Sequence, residues 1–301
     1  MSIAFVSNGI IAASIRRIPA AKPKVQSAVF YPDADAAWPE LLERLGKELH
    51  ADAAQCTTIL GGHEYQILAV ESPNVPPEEL KTAVRWRLKD MLDFHVDDAT
   101  IDVLDIPAEK NGAQRSHSLF AIAARNSLIE QRQSMFINAK IGLSVIDIPE
   151  MAQRNLSTLI EAEGRGVAML SFGDDGGLLT VTYGGELYLA RRIDVALGDL
   201  LEADFERKHA SFDKITLELQ RSLDHFDRQF HFIAVAKLVL APCPVSGLEE
   251  YLSSNLYMPV ESMNLADVLD LSRAPDLADL AQQQRFFMAL GASLRFEEVA
   301  L

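Results

Sequence analysis

Cysteine is nearly absent. The 301 residues contain two, Cys56 and Cys243, far apart, with no Cys-x-x-Cys pair and no histidine at ligand spacing, so neither a disulfide framework nor a zinc site has support. Basic residues are scarce as well: 28 Lys and Arg stand against 43 Asp and Glu, a formal net charge of −15. Affinity for nucleic-acid backbones and for anionic membrane surfaces comes from clustered Lys and Arg, so both partners are disfavoured. Long apolar runs are missing too. The most apolar window, Phe232 to Val245, is shorter than the roughly 18 residues of a membrane span and is broken by Lys237, Pro242 and Pro244. The start, Met1-Ser2-Ile3-Ala4-Phe5, has no basic region ahead of an apolar stretch, and no signal peptide is read there. These absences lead to an expectation of a soluble protein of a reduced, cytoplasmic compartment.

What is present is a globular composition, 49% hydrophobic and 24% charged, long enough for about two domains. Two segments open alike. Ile3-Ala4-Phe5-Val6 runs through Ser7-Asn8-Gly9 into Ile10 to Ile15. Val167 to Phe172 runs through Gly173-Asp174-Asp175-Gly176-Gly177 into Leu178 to Tyr183, and a further turn at Gly184-Gly185 leads to a strand from Glu186 to Ile193. An apolar run, a glycine turn and a second apolar run predict a hairpin at each place and a duplicated two-lobe plan.

Between the hairpins, the pattern predicts a helix from Trp38 to His50 and strands at Thr57–Leu60 and Tyr65–Val70. After the Pro-rich joint Ser72 to Pro77 come an amphipathic helix, Glu78–Leu92, strands Ala99–Ile106 and Ser118–Ala124, a helix near Ser127–Ala139 and a strand Leu143–Ile148. A helix from Glu150 to Glu163 leads into the second half. There Ile215, Leu219, Leu223, Phe226 and Phe230 mark one face of a helix Asp213–Phe230, followed by a buried strand His231–Leu240. Ser246-Gly247-Leu248-Glu249 reads as a capping box, and Leu277–Leu294 as a closing helix. Alternating strands and helices give an α/β class.

This order of parts resembles the actin-like ATPase superfamily, specifically the PilM branch of type IV pilus assembly proteins, which is similar to the division protein FtsA. The stretches that carry the resemblance are Pro76-Pro77-Glu78-Glu79-Leu80 through Ile101-Asp102, Val145-Ile146-Asp147-Ile148-Pro149-Glu150-Met151 through Asn155, and Leu217-Glu218-Leu219-Gln220-Arg221-Ser222-Leu223-Asp224. The resemblance implies a two-lobed α/β fold with an inserted α+β subdomain in the first lobe. It divides the chain into residues 1–72 (first lobe, N-terminal part), 73–149 (insertion), 150–165 (first-lobe helix), 166–284 (second lobe) and 285–301 (closing helix). It also implies an adaptor that is cytoplasmic and held at the inner membrane by its partner, binding the N-terminal cytoplasmic tail of a single-span inner-membrane pilus assembly protein. The assembly ATPase is a second partner to consider.

The superfamily's nucleotide site has an Asp-x-Gly in the first hairpin of each lobe, where carboxylates hold Mg²⁺ and glycine lets backbone amides approach phosphate. Aligned on the hairpins, these fall on Ser7-Asn8-Gly9 and Ser171-Phe172-Gly173, each keeping glycine and replacing aspartate by serine. A third, adenosine-contacting Gly-Gly turn falls near Ala241 to Gly247, where only Gly247 survives. Asp174 and Asp175 either replace the lost carboxylates from one turn further on or, more plainly, make the hairpin turn. The sequence therefore reads as a degenerate ATPase, with no catalytic residue, no metal and no resident cofactor. ATP, the one ligand the resemblance raises, is not expected to be hydrolysed, because phosphoryl transfer depends on positioning and charge stabilisation. The alternative is a nucleotide-binding actin-like ATPase acting as a switch in pilus or type II secretion assembly.

Other motifs are weaker. His63, His95, His117, His209, His225 and His231 show no Ser/His/Asp order and no His-x-x-x-His pair. Gly61-Gly62 is followed by no Lys-Ser or Lys-Thr and reads as a hairpin turn. Lys81, Arg85, Arg87 and Lys89, with Trp86 among them, form either a face for an acidic partner or a solvated helix surface.

Overall fold

The computed structural model describes residues 1–33, 37–51, 54–108 and 118–295. Each half starts with a tight hairpin. β1 (Ser2–Val6) turns through Ser7-Asn8 into β2 (Gly9–Arg16), which pairs antiparallel with β3 (Lys24–Pro32). After α1 (Trp38–Glu48), β4 (Cys56–Ile59) lies parallel to β1. The chain then leaves this sheet for β5 (Tyr65–Glu71), α2 (Pro77–Leu88), β6 (Ala99–Ile106) and β7 (Ser118–Arg125). It returns through α3 (Asn126–Asn138) to β8 (Leu143–Asp147), parallel to β4. The first sheet thus reads β3-β2-β1-β4-β8, and the excursion forms its own antiparallel sheet, β5-β7-β6.

α4 (Pro149–Ser157) begins with proline at its first turn, where the missing N–H costs nothing. The second half then repeats the pattern. β9 (Gly166–Gly173), β10 (Gly176–Tyr183) and β11 (Glu186–Ile193) form a meander. α5 (Leu197–Leu200) and α6 (Phe205–Gln229) lead to β12 (Val235–Leu240), parallel to β9. α7 (Leu248–Asn255) leads to β13 (Val260–Ser262), and α8 (Leu265–Val268) and α9 (Leu280–Ser293) close the chain. The sheet order is β11-β10-β9-β12-β13, the same wiring as the first.

The layers follow from which faces are apolar. Ile3, Phe5, Ile10 and Ala12 of the first sheet pack on Leu41, Leu42 and Leu45 of α1 and on Met135 and Phe136 of α3. Leu170, Leu179 and Val181 of the second sheet pack on Ile215, Leu219, Leu223 and Phe226 of α6. Between the sheets lie α9 and α4, whose Ala152, Leu156, Phe287 and Leu290 share one core with Ala4 and Ile11 of the first sheet and Met169 and Val239 of the second. Their close crossing depends on Gly291, where any Cβ would collide with the Ala152 carbonyl; Asn155 Nδ2 donates to the Gly291 carbonyl at 2.9 Å. The small sheet buries Leu119, Ala121 and Ala123 under Val84 and Leu88 of α2. Its other face sends Tyr65, Ile106 and Phe120 into the core of the second lobe.

Several boundaries differ from the sequence reading. Tyr65–Glu71, placed by sequence in the N-terminal part of the first lobe, is an edge strand of the inserted sheet, whereas Leu143–Asp147, placed in the insertion, is an edge strand of the first-lobe sheet. Both are short apolar runs, and only their long-range partners decide which sheet they join. Gly61-Gly62 is therefore no hairpin turn but the exit from one sheet to another. α6 starts at Phe205 rather than Asp213, because Asp204 caps it by accepting from the Glu206 and Arg207 amides. The capping box at Ser246 does not form: Gly247, at φ +83°, is the helix cap, and Glu249 accepts instead from Ser262 Oγ. α9 begins at Leu280 under an Asp279 cap, and Leu277 belongs to a preceding 3₁₀ turn, Pro275–Ala278. Of the last segment read from sequence, residues 296–301 lie outside the described residues, as does His117.

Candidate functional site

A cleft of about 520 Å³ opens between the lobes. Both hairpin turns reach it, together with the Gly61–Glu64 exit loop and the α9 side chains Gln284, Arg285 and Met288. The turns define a register that sequence letters alone misplace. In the first lobe the last paired residues are Val6 and Gly9, leaving Ser7-Asn8 as the turn. In the second they are Gly173 and Gly176, leaving Asp174-Asp175.

The glycines confirm this match. Gly9 has φ +152°, and a Cβ on it would run into the carbonyl oxygen of Tyr31 on the third strand. Gly176 has φ +110°, and its Cβ would lie 2.7 Å from the carbonyl oxygen of Ile193, again on the third strand. A Cβ on Gly173 would meet nothing within 4 Å. Ser7-Asn8-Gly9 thus corresponds to Asp174-Asp175-Gly176, not to Ser171-Phe172-Gly173. The expectation that serine replaces aspartate in both hairpins is corrected: the second lobe carries Asp174-Asp175-Gly176, an Asp-x-Gly.

Ser171, Phe172 and Gly173 have strand roles instead. The Ser171 hydroxyl, buried, donates to Gln153 Oε1 at 2.5 Å. The Gln153 Nε2 donates to the Met169 carbonyl and to Thr180 Oγ1, both at 2.9 Å, so α4 is fastened to the second sheet from inside. The Phe172 carbonyl accepts from Gln284 Nε2 at 2.9 Å. Gly247 does not line the cleft, although Ala241 and Pro242 do.

Across the cleft the turns touch. Ser7 Oγ donates to Asp174 Oδ2 at 2.9 Å, and the Gly62 amide donates to Asp175 Oδ2 at 2.8 Å. His63 Nδ1 lies 3.6 Å from Asp175 Oδ1. Deeper, Glu150 at the start of α4 is fully buried and accepts from the Tyr65 hydroxyl, while Arg192 Nη2 of β11 reaches Tyr65 Oη at 2.5 Å and Glu150 Oε1 at 3.2 Å. Burial first, and then the facing Glu150 carboxylate, push the Tyr65 phenol well above its ordinary pKa. This triad ties the inserted sheet, α4 and the second lobe at one point. Sequence reasoning missed it, as it missed Gln153 and Gly176; only Asp174-x-Gly176 had a readable signal.

The chain has the actin-like ATPase fold. It superposes on a protein of a PilM–PilN type IV pilus biogenesis complex with TM-score 0.75 at 19% identity, covering 97% of this chain and 96% of that one. It superposes on a Bacteroides thetaiotaomicron protein of actin-like ATPase fold and unknown function with TM-score 0.50 at 10% identity, covering 92% and 95%. The cytoplasmic domain of EpsL, an inner-membrane component of the Vibrio cholerae type II secretion system, matches at TM-score 0.47 and 12% identity, covering 95% and 92%. No protein-family model and no curated protein matches the sequence.

An actin-like ATPase fold raises a nucleotide and its cation as occupants of the interlobe cleft, and several of the polar groups there are engaged with one another. The Ser7 hydroxyl and Gly62 amide, donors a phosphate would use, are spent on carboxylates. Of the lining arginines, Arg132 pairs with Glu64 at 2.5 Å and sits over the Phe5 ring, with its buried Nε left without a partner, Arg192 pairs with Glu150, and Arg285 lies over the Phe30 ring; no lysine is among the lining residues. Among the described residues no three His, Cys, Asp or Glu side chains come together as a metal site. The remaining lining is mostly apolar, with Trp38, Phe172, Phe287 and Met288.

On α2, Trp86 is 70% exposed, so it is surface rather than core. Three of the four neighbouring cations are used within the chain: Lys81 pairs with Asp102 at 2.7 Å, Arg85 donates to the Val96 and Ala99 carbonyls, and Arg87 donates to the Glu71 carbonyl at 2.9 Å. No helix among the described residues is long and apolar enough to cross a membrane.

Proposed function

We propose that this protein is a non-catalytic adaptor of type IV pilus biogenesis, of the PilM-like kind and nearest to the MshI component of the mannose-sensitive haemagglutinin (MSHA) system. It binds the N-terminal cytoplasmic tail of a single-span inner-membrane assembly protein, which recruits it from the cytoplasm to the inner membrane. The observation that carries the reading is the end-to-end likeness to a protein whose structure is that of a PilM–PilN complex. The committed polar groups of the cleft support the non-catalytic part. The tail lies extended in a groove of the first lobe walled by the inserted sheet, where main-chain pairing and a few apolar pockets give affinity. Exposed Trp86 on that subdomain is an anchor of the kind enriched in binding hot spots.

Titration calorimetry with a synthetic peptide of that tail tests the proposal. Saturable micromolar binding, unchanged by ATP and weakened by Trp86→Ala, is expected; no binding by the intact protein overturns it. A second reading, an ATP-gated switch, draws on Asp174 standing in an Asp-x-Gly turn. Titration with ATP, with and without Mg²⁺, decides between them: Mg²⁺-dependent micromolar binding establishes the switch, and no heat up to millimolar ATP excludes it.

A further inference from the structure

Ser7 and Asp174 hold equivalent places in the two hairpins and face one another across the cleft at hydrogen-bond distance. We infer that this pair, with Asp175 on the Gly62 amide, is a built-in latch that holds the lobes together without a ligand. The inference is independent of the adaptor reading.

The argument is one of charge. With aspartate at both equivalent positions, two carboxylates would meet at this separation. Such a pair repels, and stays close only if one is protonated or a cation lies between them. Serine at one position removes that requirement, because a hydroxyl donates to the opposite carboxylate directly. The second contact has the same sense: a first-lobe backbone donor, Gly62 N–H, meets a second-lobe carboxylate. Both carboxylates of one turn are therefore satisfied by the other lobe, and no ion is needed to join them.

The loop that accepts the latch is built to its shape. A Cβ on Gly62 would displace the tip of the Arg192 guanidinium and lie 3.2 Å from Asp175 Cβ, so a glycine here eases the close approach of the exit loop. Behind it, Glu150, Tyr65 and Arg192 join α4, the inserted sheet and the second lobe in the interior. Beneath them α4 and α9 share one core with both sheets. The cleft is thus fixed at its floor by packing and at its mouth by Ser7–Asp174 and Gly62–Asp175. Its closed form is a property of the chain.

Hydrogen–deuterium exchange of the intact protein tests this, read at residues 7–9 and 61–64. In the wild type, protection there is expected to be the same with and without Mg²⁺ and ATP; a rise in protection on adding them overturns the latch. Ser7→Ala and Asp174→Ala each raise exchange at these residues roughly fivefold, the loss of one hydrogen bond, and the double variant adds little more. Ser7→Asp raises it further, because it restores the like-charge pair. Asp174→Asn, which keeps an oxygen acceptor for the Ser7 hydroxyl, stays near wild type and shows that the contact, rather than the fold of the turn, is what is measured. Exchange in Ser7→Ala and Ser7→Asp equal to wild type overturns the inference.

Discussion

The two lobes share one wiring and differ in what they put at matching positions. Strand for strand, β3-β2-β1-β4-β8 repeats as β11-β10-β9-β12-β13. Ser7 answers to Asp174 in the turns, and Gly9 to Gly176 just after them. Asp147, pairing with Ile59 at the end of β8, answers to Met263, the residue after β13. Where the backbone needs something, as at the two glycines, the lobes agree. Where a side chain decides the chemistry, they diverge, and the divergence makes the halves complementary: one turn brings a hydroxyl, the other a carboxylate. The repeated wiring supplies the scaffold, and asymmetry at a few positions decides what the cleft between the halves does.

The largest expected effect comes from breaking what the lobes have in common. Gly9→Ala collides with the Tyr31 carbonyl in a backbone conformation that side chains disfavour, and should cost about 3 kcal/mol. Gly176→Ala, with its Cβ 2.7 Å from the Ile193 carbonyl, should cost about 2 kcal/mol. Gly173→Ala has open space and an ordinary φ, and should stay within about 0.5 kcal/mol of wild type. Urea unfolding of the three variants reads the register directly. Were Gly173 the counterpart of Gly9, the order of the last two would invert.

Next come two buried polar residues of α4. Gln153→Leu strands the buried Ser171 hydroxyl and removes the donor to Thr180 Oγ1 inside the second lobe, at an expected cost of about 2 kcal/mol. Glu150→Ala deprives the Tyr65 hydroxyl and part-buried Arg192 of their shared acceptor, at a similar cost of about 2 kcal/mol. The two are distinguishable by exchange. Gln153→Leu loosens β9 and β10, whereas Glu150→Ala loosens β5 and β11 together, because its partners lie in different sheets.

These residues also show what the chain reveals before it folds. Hairpins, the α6 stripe and the doubled plan are written in short-range periodicity, and were legible. The turn register was not, because Ser171-Phe172-Gly173 matches Ser7-Asn8-Gly9 by letters, while the pairing of Gly173 with Gly176 is decided by positive φ at Gly176. Tyr65–Glu71 and Leu143–Asp147 each lie in the sheet on the other side of the boundary that the sequence suggests, because a short apolar strand does not name its partner. The Tyr65–Glu150–Arg192 triad joins positions 85 and 42 residues apart, a separation no local pattern encodes.

The smallest expected effect sharpens the comparison at Asp147 and Met263, both buried, one charged and one not. Burial raises the Asp147 carboxyl above its ordinary value, against the opposing pull of Arg295 at 3.0 Å and of the Ile148 amide. Its folded pKa therefore exceeds its unfolded one. Between those two values the native state keeps a proton that the unfolded chain has shed, so stability falls as pH rises through that window and is flat above it. Copying the second lobe with Asp147→Met removes the titrating group, and the slope in that window with it. The substitution takes one partner from the Arg295 pair and the side-chain acceptor from the buried Ile148 amide, but Arg295 keeps contact with water, so stability near neutral pH should fall by about 1 kcal/mol. Urea unfolding of the two proteins across the acid range measures both quantities. A variant that keeps the slope would place its origin elsewhere; one that loses several kcal/mol at neutral pH would mean that the Arg295 pair stabilises the first lobe in a way its counterpart in the second never required.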